Sequence, residues 1–195
     1  MDQFEEALLY YLVLKSQDPP EVVHVHHAAP GGGGVSEHDN LTGVNESQHH
    51  QHAYGEIYVH DNIVASDAPG VLGTWYQFVL FDKNGPCHET VPDHTNDHIT
   101  VGLTGDYLIS FSVSMFDAQT HDWEFAVYTN NGTVYLDNIE LQATMLAASK
   151  VLSSSCCGIA SLSAGDTVEL WYKCISNGAT DLTVKLANLN LFRLL

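Results

Sequence analysis

From Tyr54 onward, apolar and polar positions alternate with a period of two, as expected of half-buried strands. The run 107–116, YLISFSVSMF, is the clearest. Tyr107, Ile109, Phe111, Val113 and Met115 share one parity, and Leu108, Ser110, Ser112 and Ser114 the other. One face is large and apolar and the other small and polar, which decides the side that meets a core. The last run, 181–194, alternates through Leu182, Val184 and Leu186 and later through Leu189 and Leu191. The pattern predicts strands over 54–60, 71–82, 98–103, 106–116, 122–130, 133–147, 150–162, 167–176 and 181–194. Asn84-Gly85, Asn131-Gly132, Gly165-Asp166 and Asn177-Gly178 supply turns between them. Residues 143–150, ATMLAASK, have helical composition, but their place between strands makes them strand and turn. Many strands, short turns and no intervening helix predict an all-β sandwich or jelly roll over 54–195.

Before Tyr54 the period changes. In residues 2–16, Phe4, Ala7, Leu8, Tyr11 and Leu12 recur at helical spacing, with acids in the first turn and Lys15 near the end. Leu9, Tyr10, Val13 and Leu14 widen the apolar surface almost all round, so such a helix needs a surface to bury it. Pro19-Pro20 ends it. Residues 1–18 are therefore an anchor helix. It packs on the body of its own chain or docks on a partner or on sister copies; the intervening spacer favours docking, through Phe4, Leu8, Tyr11 and Leu12. The spacer, 19–53, holds a β-prone run with His24 and His26 on one face and then four glycines, 31–34. Its second half carries His38, His49, His50 and His52 with few apolar residues, too few to offset the entropy of ordering the segment alone. Identical copies held around an axis would order it.

Composition narrows the function. Apolar residues are 45% and charged residues 15% of 195, which suits one folded domain with an appendage. The net charge of −18, from 24 acids and 6 bases, leaves no basic face for nucleic acid or for an anionic membrane. No run reaches the roughly 18–20 apolar residues needed for membrane insertion, and the acidic start lacks a signal peptide's cationic region. Synthesis in a cytoplasm is expected. Cys87, Cys156, Cys157 and Cys174 lack zinc-ligand spacing, and neighbours Cys156 and Cys157 point to opposite strand faces.

Candidate chemistry concentrates at 88–98, HETVPDHTNDH, where His88, Asp93, His94, Asp97 and His98 make a possible cation or ligand loop. The same residues also read as an ordinary polar surface loop. They lack metalloprotease spacing, and neither a G-x-S-x-G elbow nor a phosphate-cradling loop is present. Trp75, Trp123 and Trp171 read as core or subunit-interface aromatics, with glycan binding as the alternative.

Two family resemblances follow. Gly105-Asp106-Tyr107-Leu108-Ile109-Ser110-Phe111, then Asn131-Gly132, then Leu162-Ser163-Ala164-Gly165-Asp166-Thr167-Val168-Glu169-Leu170, then the strand ending Leu191-Phe192, together resemble the jelly roll of the complement C1q and tumour necrosis factor superfamily. The resemblance covers about 54–195 and implies a homotrimer; the collagen repeat of the secreted animal branch is missing. The segment Glu37-His38-Asp39-Asn40-Leu41-Thr42-Gly43-Val44, then Glu46, then His49-His50-Gln51, resembles the D-H-x-x-L-T-G-L-x-D-D-D-H-x-Q-Y motif of tailed-bacteriophage fibres. His38, His49 and Gln51 keep their places. The acidic triplet is diluted to Glu46-Ser47-Gln48, and His52 stands where tyrosine is usual.

On a three-fold axis each histidine occurs three times. His24 with His26, His50 with His52, and the motif's His38 and His49 are therefore candidate axial residues. They either hydrogen-bond one another and the backbone or hold a divalent metal ion. The expected protein is a non-enzymatic virion component on a capsid surface, made in the host cytoplasm. It would be a trimeric capsid decoration or head-fibre protein, held on the major capsid protein or another virion protein by its N-terminus. A tail-fibre tip that binds a host glycan is one alternative; a metal-dependent hydrolase on a β-sandwich is another.

Overall fold

The computed structural model describes residues 52–60, 71–117, 119–145, 150–176 and 182–194, all within the unit His50–Leu195. Eleven strands are assigned: β1 (Tyr54–Val59), β2 (Tyr76–Gln77), β3 (Lys83–Asn84), β4 (Thr90–Asp93), β5 (His98–Val101), β6 (Gly105–Phe116), β7 (Asp122–Thr129), β8 (Val134–Thr144), β9 (Leu152–Leu162), β10 (Thr167–Cys174) and β11 (Thr183–Arg193). One sheet runs β3-β1-β11-β6-β9. The other runs β4-β5-β10-β7-β8, with β2 added to β10. Among the described residues the strands of both sheets pair antiparallel.

The core lies between the sheets and follows the alternation. Tyr107, Ile109, Phe111, Val113 and Met115 of β6 are buried, as are Ile57 of β1 and Leu189 of β11. From the second sheet come Ile99, Phe125, Val168, Leu170 and Tyr172. Phe125 stacks on Tyr172 at 6.3 Å, and Phe78 meets Tyr172 edge-on at 6.2 Å. Each such side chain contributes roughly 1.5–3 kcal/mol by leaving water. The sandwich is closed along both sides. Tyr54 and His88 exchange backbone bonds of 2.9 and 2.8 Å, and Asn138 Nδ2 donates to the Ile159 carbonyl at 2.9 Å.

Three local readings change. Residues 71–82 are not one strand: only Tyr76–Gln77 pairs. Phe78 and Phe81 both turn into the core, 4.9 Å apart. The Phe78 N–H carries the β10 pairing one residue further, to the Leu170 carbonyl at 2.8 Å, whereas the Phe81 N–H donates to the Asp97 carboxylate. Asn84-Gly85 makes no hairpin turn; Lys83–Asn84 pairs with β1, and the Gly85 N–H continues to the Glu56 carbonyl at 2.8 Å. Leu186 does not share a face with Leu182 and Val184. A register shift between Val184 and Leu186 leaves it exposed and returns Ala187, Leu189 and Leu191 to the core.

The Asn131-Gly132 turn is present. Asn130, Asn131 and Gly132 all have φ near +60 to +75° (57, 56 and 74°), a region open to Asn and Gly. Of 143–150 the described residues are 143–145 and Lys150, and strand β8 stops at Thr144. Asn177-Gly178 lies outside the described residues, as do residues 1–51, on which the expected helix and most of the expected spacer fall.

Candidate subunit interface

The outward face of the first sheet is built from the parity that the core rejects. On β6 these are Leu108, Ser110, Ser112 and Ser114, none of them buried. Register aligns them with outward residues of the neighbouring strands, one rung at a time. Tyr54 pairs with Phe192, Phe192 with Leu108, and Leu108 with Ile159. All four are exposed, at 38, 46, 38 and 53%. They form an unbroken apolar rung across β1, β11, β6 and β9. His52 lies at the same end, its ring 6.3 Å from that of Phe192.

The next rungs are polar. Glu56, Asn190, Ser110 and Cys157 make one, and Tyr58, Asn188, Ser112 and Ser155 the next. Some of the polar side chains on this face pair across the strands. Ser112 Oγ donates to Asn188 Oδ1 at 2.9 Å, and Ser114 and Ser153 share a hydroxyl hydrogen bond of 2.8 Å. Because the side chains are small, the sheet dips into an open groove of about 590 Å³ lined by Glu56, Tyr58, His60, Ser112, Ser114 and Asn188. The apolar rung gains free energy when covered, and the serines let another backbone come close without leaving donors stranded.

Sequence reading identified the small face of β6 but not the rung. The four residues come from segments far apart in the chain, and only strand pairing aligns them. The apolar residues of 71–81 are divided: Phe78 and Phe81 are core, whereas Val71, Leu72 and Val79 are exposed.

The predicted cation loop, 88–98, is a hairpin of β4 and β5, and its side chains diverge. His88 lies beside the Tyr54 ring at 6.1 Å. The Asp93 carboxylate caps the turn, accepting from Asn96 Nδ2 at 2.8 Å and from the Thr95 and Asn96 N–H groups. Those bonds, led by the Asn96 side chain, hold it below the usual carboxylate range. His94 Nδ1 contacts Asn84 Oδ1 at 3.1 Å, and His98 Nδ1 contacts the Asn96 carbonyl at 3.2 Å. Asp97 is buried and accepts the Phe81 N–H at 3.0 Å. Burial pushes its carboxyl up to about 7, the Phe81 bond opposes this, and nearby Asp93 adds to it. Among the described residues no three His, Cys, Asp or Glu side chains converge on a metal-sized site. Edge strands β3 and β4 went unread because they are short and polar, and Pro92 suits an edge that needs no donor.

Of the candidate axial histidines only His52 is described, and it is exposed. His24, His26, His38, His49 and His50 lie outside the described residues, as do Phe4, Leu8, Tyr11 and Leu12. Trp123 is fully buried, whereas Trp75 and Trp171 are partly buried on the second sheet.

Solved structures with two sheets of this kind match the chain. An Eiger TNF from S. frugiperda aligns with a TM-score of 0.50 and 14% identity, over 74% of this chain and 92% of that one. The globular domain of a zebrafish complement 1qA protein gives 0.50 and 14%, over 73% and 98%. Murine APRIL at pH 8.0 gives 0.50 and 14%, over 74% and 100%. The fold is that of the C1q and tumour necrosis factor jelly rolls. At this identity the likeness is one of fold. No family model and no curated protein matches the chain. Within this fold, Gly105–Phe111 lies in β6, an inner strand between β11 and β9. Residues 162–170 form the turn by which the chain leaves β9 in one sheet and enters β10 in the other.

Proposed function

We propose that the protein is a homotrimeric, non-enzymatic structural component of a tailed-phage virion, displayed on the capsid as a decoration or head-fibre protein. The observation that carries the trimer is the exposed rung Tyr54–Phe192–Leu108–Ile159 on an otherwise polar, serine-rich sheet face. A contiguous exposed apolar strip backed by small residues suits burial against another copy. The virion assignment rests on the fibre-like motif at 37–51, joined directly to a jelly roll. In this reading residues 1–16 dock on the major capsid protein or another virion protein, and the spacer histidines gather near the three-fold axis, with or without a divalent metal.

Co-purification with particles tests the assignment. The full chain should band with capsids on a density gradient, and a chain lacking residues 1–20 should stay free. Full occupancy by the truncated chain removes the anchor, and absence of the full chain from every particle removes the virion role.

A further inference from the structure

The outward face of the second sheet is unlike that of the first. Tyr128 of β7 and Tyr135 of β8 are paired in register, with ring centroids 5.2 Å apart. Trp171 of β10 lies 5.1 Å from Tyr128. Trp75, from the segment before β2, stands edge-on to Tyr128 at 5.6 Å and lies 6.0 Å from Tyr135. Tyr135 is 39% exposed, and Trp75, Tyr128 and Trp171 are partly exposed beside it. Polar groups surround them. The Lys173 ammonium sits 4.3 Å over the Trp75 ring and is ion-paired with Glu124. Glu140 accepts the Tyr135 hydroxyl.

We propose that Trp75, Tyr128, Tyr135 and Trp171 form a binding platform for a neutral glycan, with Glu124 and Glu140 accepting its hydroxyls. Pyranose rings present apolar C–H faces that pack on aromatic faces, and hydroxyl edges that need hydrogen-bond partners. The platform offers both. Each carboxylate has about four lone-pair sites and spends only part of them on Lys173 or Tyr135.

Charge selects the kind of glycan. Lys173 on the patch is neutralised by Glu124, two carboxylates flank the rings, and the chain carries −18 overall. A sialylated or sulfated chain meets repulsion there, whereas an uncharged one does not. The platform lies on the sheet opposite the apolar rung, so an assembly closed through the first sheet leaves it facing outward. The glycan proposal itself does not require the virion reading, because its test gives the same result on or off a particle.

Maltohexaose, cellohexaose and chitohexaose serve as neutral probes for the full-length protein, and a chondroitin sulfate hexasaccharide as the anionic probe. Indole N–H signals of the wild-type protein are followed during titration. The expected result is that at least one neutral probe shifts Trp75 while buried Trp123 stays fixed. Trp75→Ala and Tyr135→Ala should each weaken that binding about tenfold or more, or roughly 1.4 kcal/mol. Phe192→Ser, on the other sheet, should leave it unchanged. Thermal melts verify that the variants are folded, and the wild-type shifts need no variant. No neutral binding up to ~10 mM (about 2.7 kcal/mol of affinity) overturns the proposal. So does binding confined to the sulfated probe, or binding that survives both substitutions.

Discussion

Asp97 combines three features that pull against one another. Its backbone is left-handed at φ 55°, its carboxylate accepts the Phe81 N–H, and its side chain is nearly out of water. Burial raises the carboxyl to about 7 in the folded protein, against an ordinary 3.8. Between those two values the unfolded chain has already lost the proton that the folded one keeps. Stability therefore falls as pH rises from about 4 to 7, and levels off above. Asn tolerates positive φ and keeps an oxygen for Phe81. Asp97→Asn should raise the thermal midpoint at pH 8 and change it little at pH 4. An equal shift at both pH values would mean that ionisation of this residue costs nothing. Sequence reading placed Asp97 among possible cation ligands, since a lone Asp in a polar run gives no sign that its neighbours will bury it.

At the scale of elements, the β7–β8 turn is held by a strand outside its own hairpin. Three successive left-handed residues turn the N–H groups of Asn131 and Gly132 to one side, and both donate to the Glu169 carboxylate at 3.1 Å. Thr167 Oγ1 donates to it as well. Glu169 is fully buried on β10, so the turn and the sheet share one anion-binding nest. Gly132 has a further reason to lack a side chain, because a Cβ there would come 2.4 Å from the Trp171 ring. Glu169→Gln keeps the shape but offers the N–H groups a weaker acceptor on one side and a competing donor on the other. It should cost about 2 kcal/mol, measured as a lower thermal midpoint at fixed protein concentration. An unchanged midpoint would show that the nest does not hold the turn. The Asn-Gly signal was legible because φ preference is local. The partner that makes Glu169 an obligatory acid lies 37 and 38 residues away and was not.

At the scale of the whole molecule, the apolar rung decides how copies meet. Light scattering of the full chain should give three times its 21.4 kDa. The double substitution Phe192→Asp with Ile159→Asp places charge at two of its four positions, both already exposed, so the fold should survive while the assembly dissociates. A wild-type monomer at micromolar concentration would end the trimer proposal. A variant that stays fully trimeric would move the interface elsewhere.

What the sequence determined by itself rests on period and local torsion. It specified the strands of the core, the side of β6 that is buried, the Asn131-Gly132 turn, the all-β class and the resemblance to a C1q/TNF jelly roll. These follow from alternation and from φ preferences, which act over a few residues. Tertiary structure alone decided what depends on pairing. It set the bulge that exposes Leu186, gave edge roles to Lys83–Asn84 and Thr90–Asp93, and scattered the side chains of 88–98. It also aligned Tyr54, Phe192, Leu108 and Ile159 in one rung, and gathered four aromatic rings on the opposite sheet. The physical reason is that a strand's own pattern says which residues share a face. Register between strands, set by the packed sandwich, says which of those residues become neighbours.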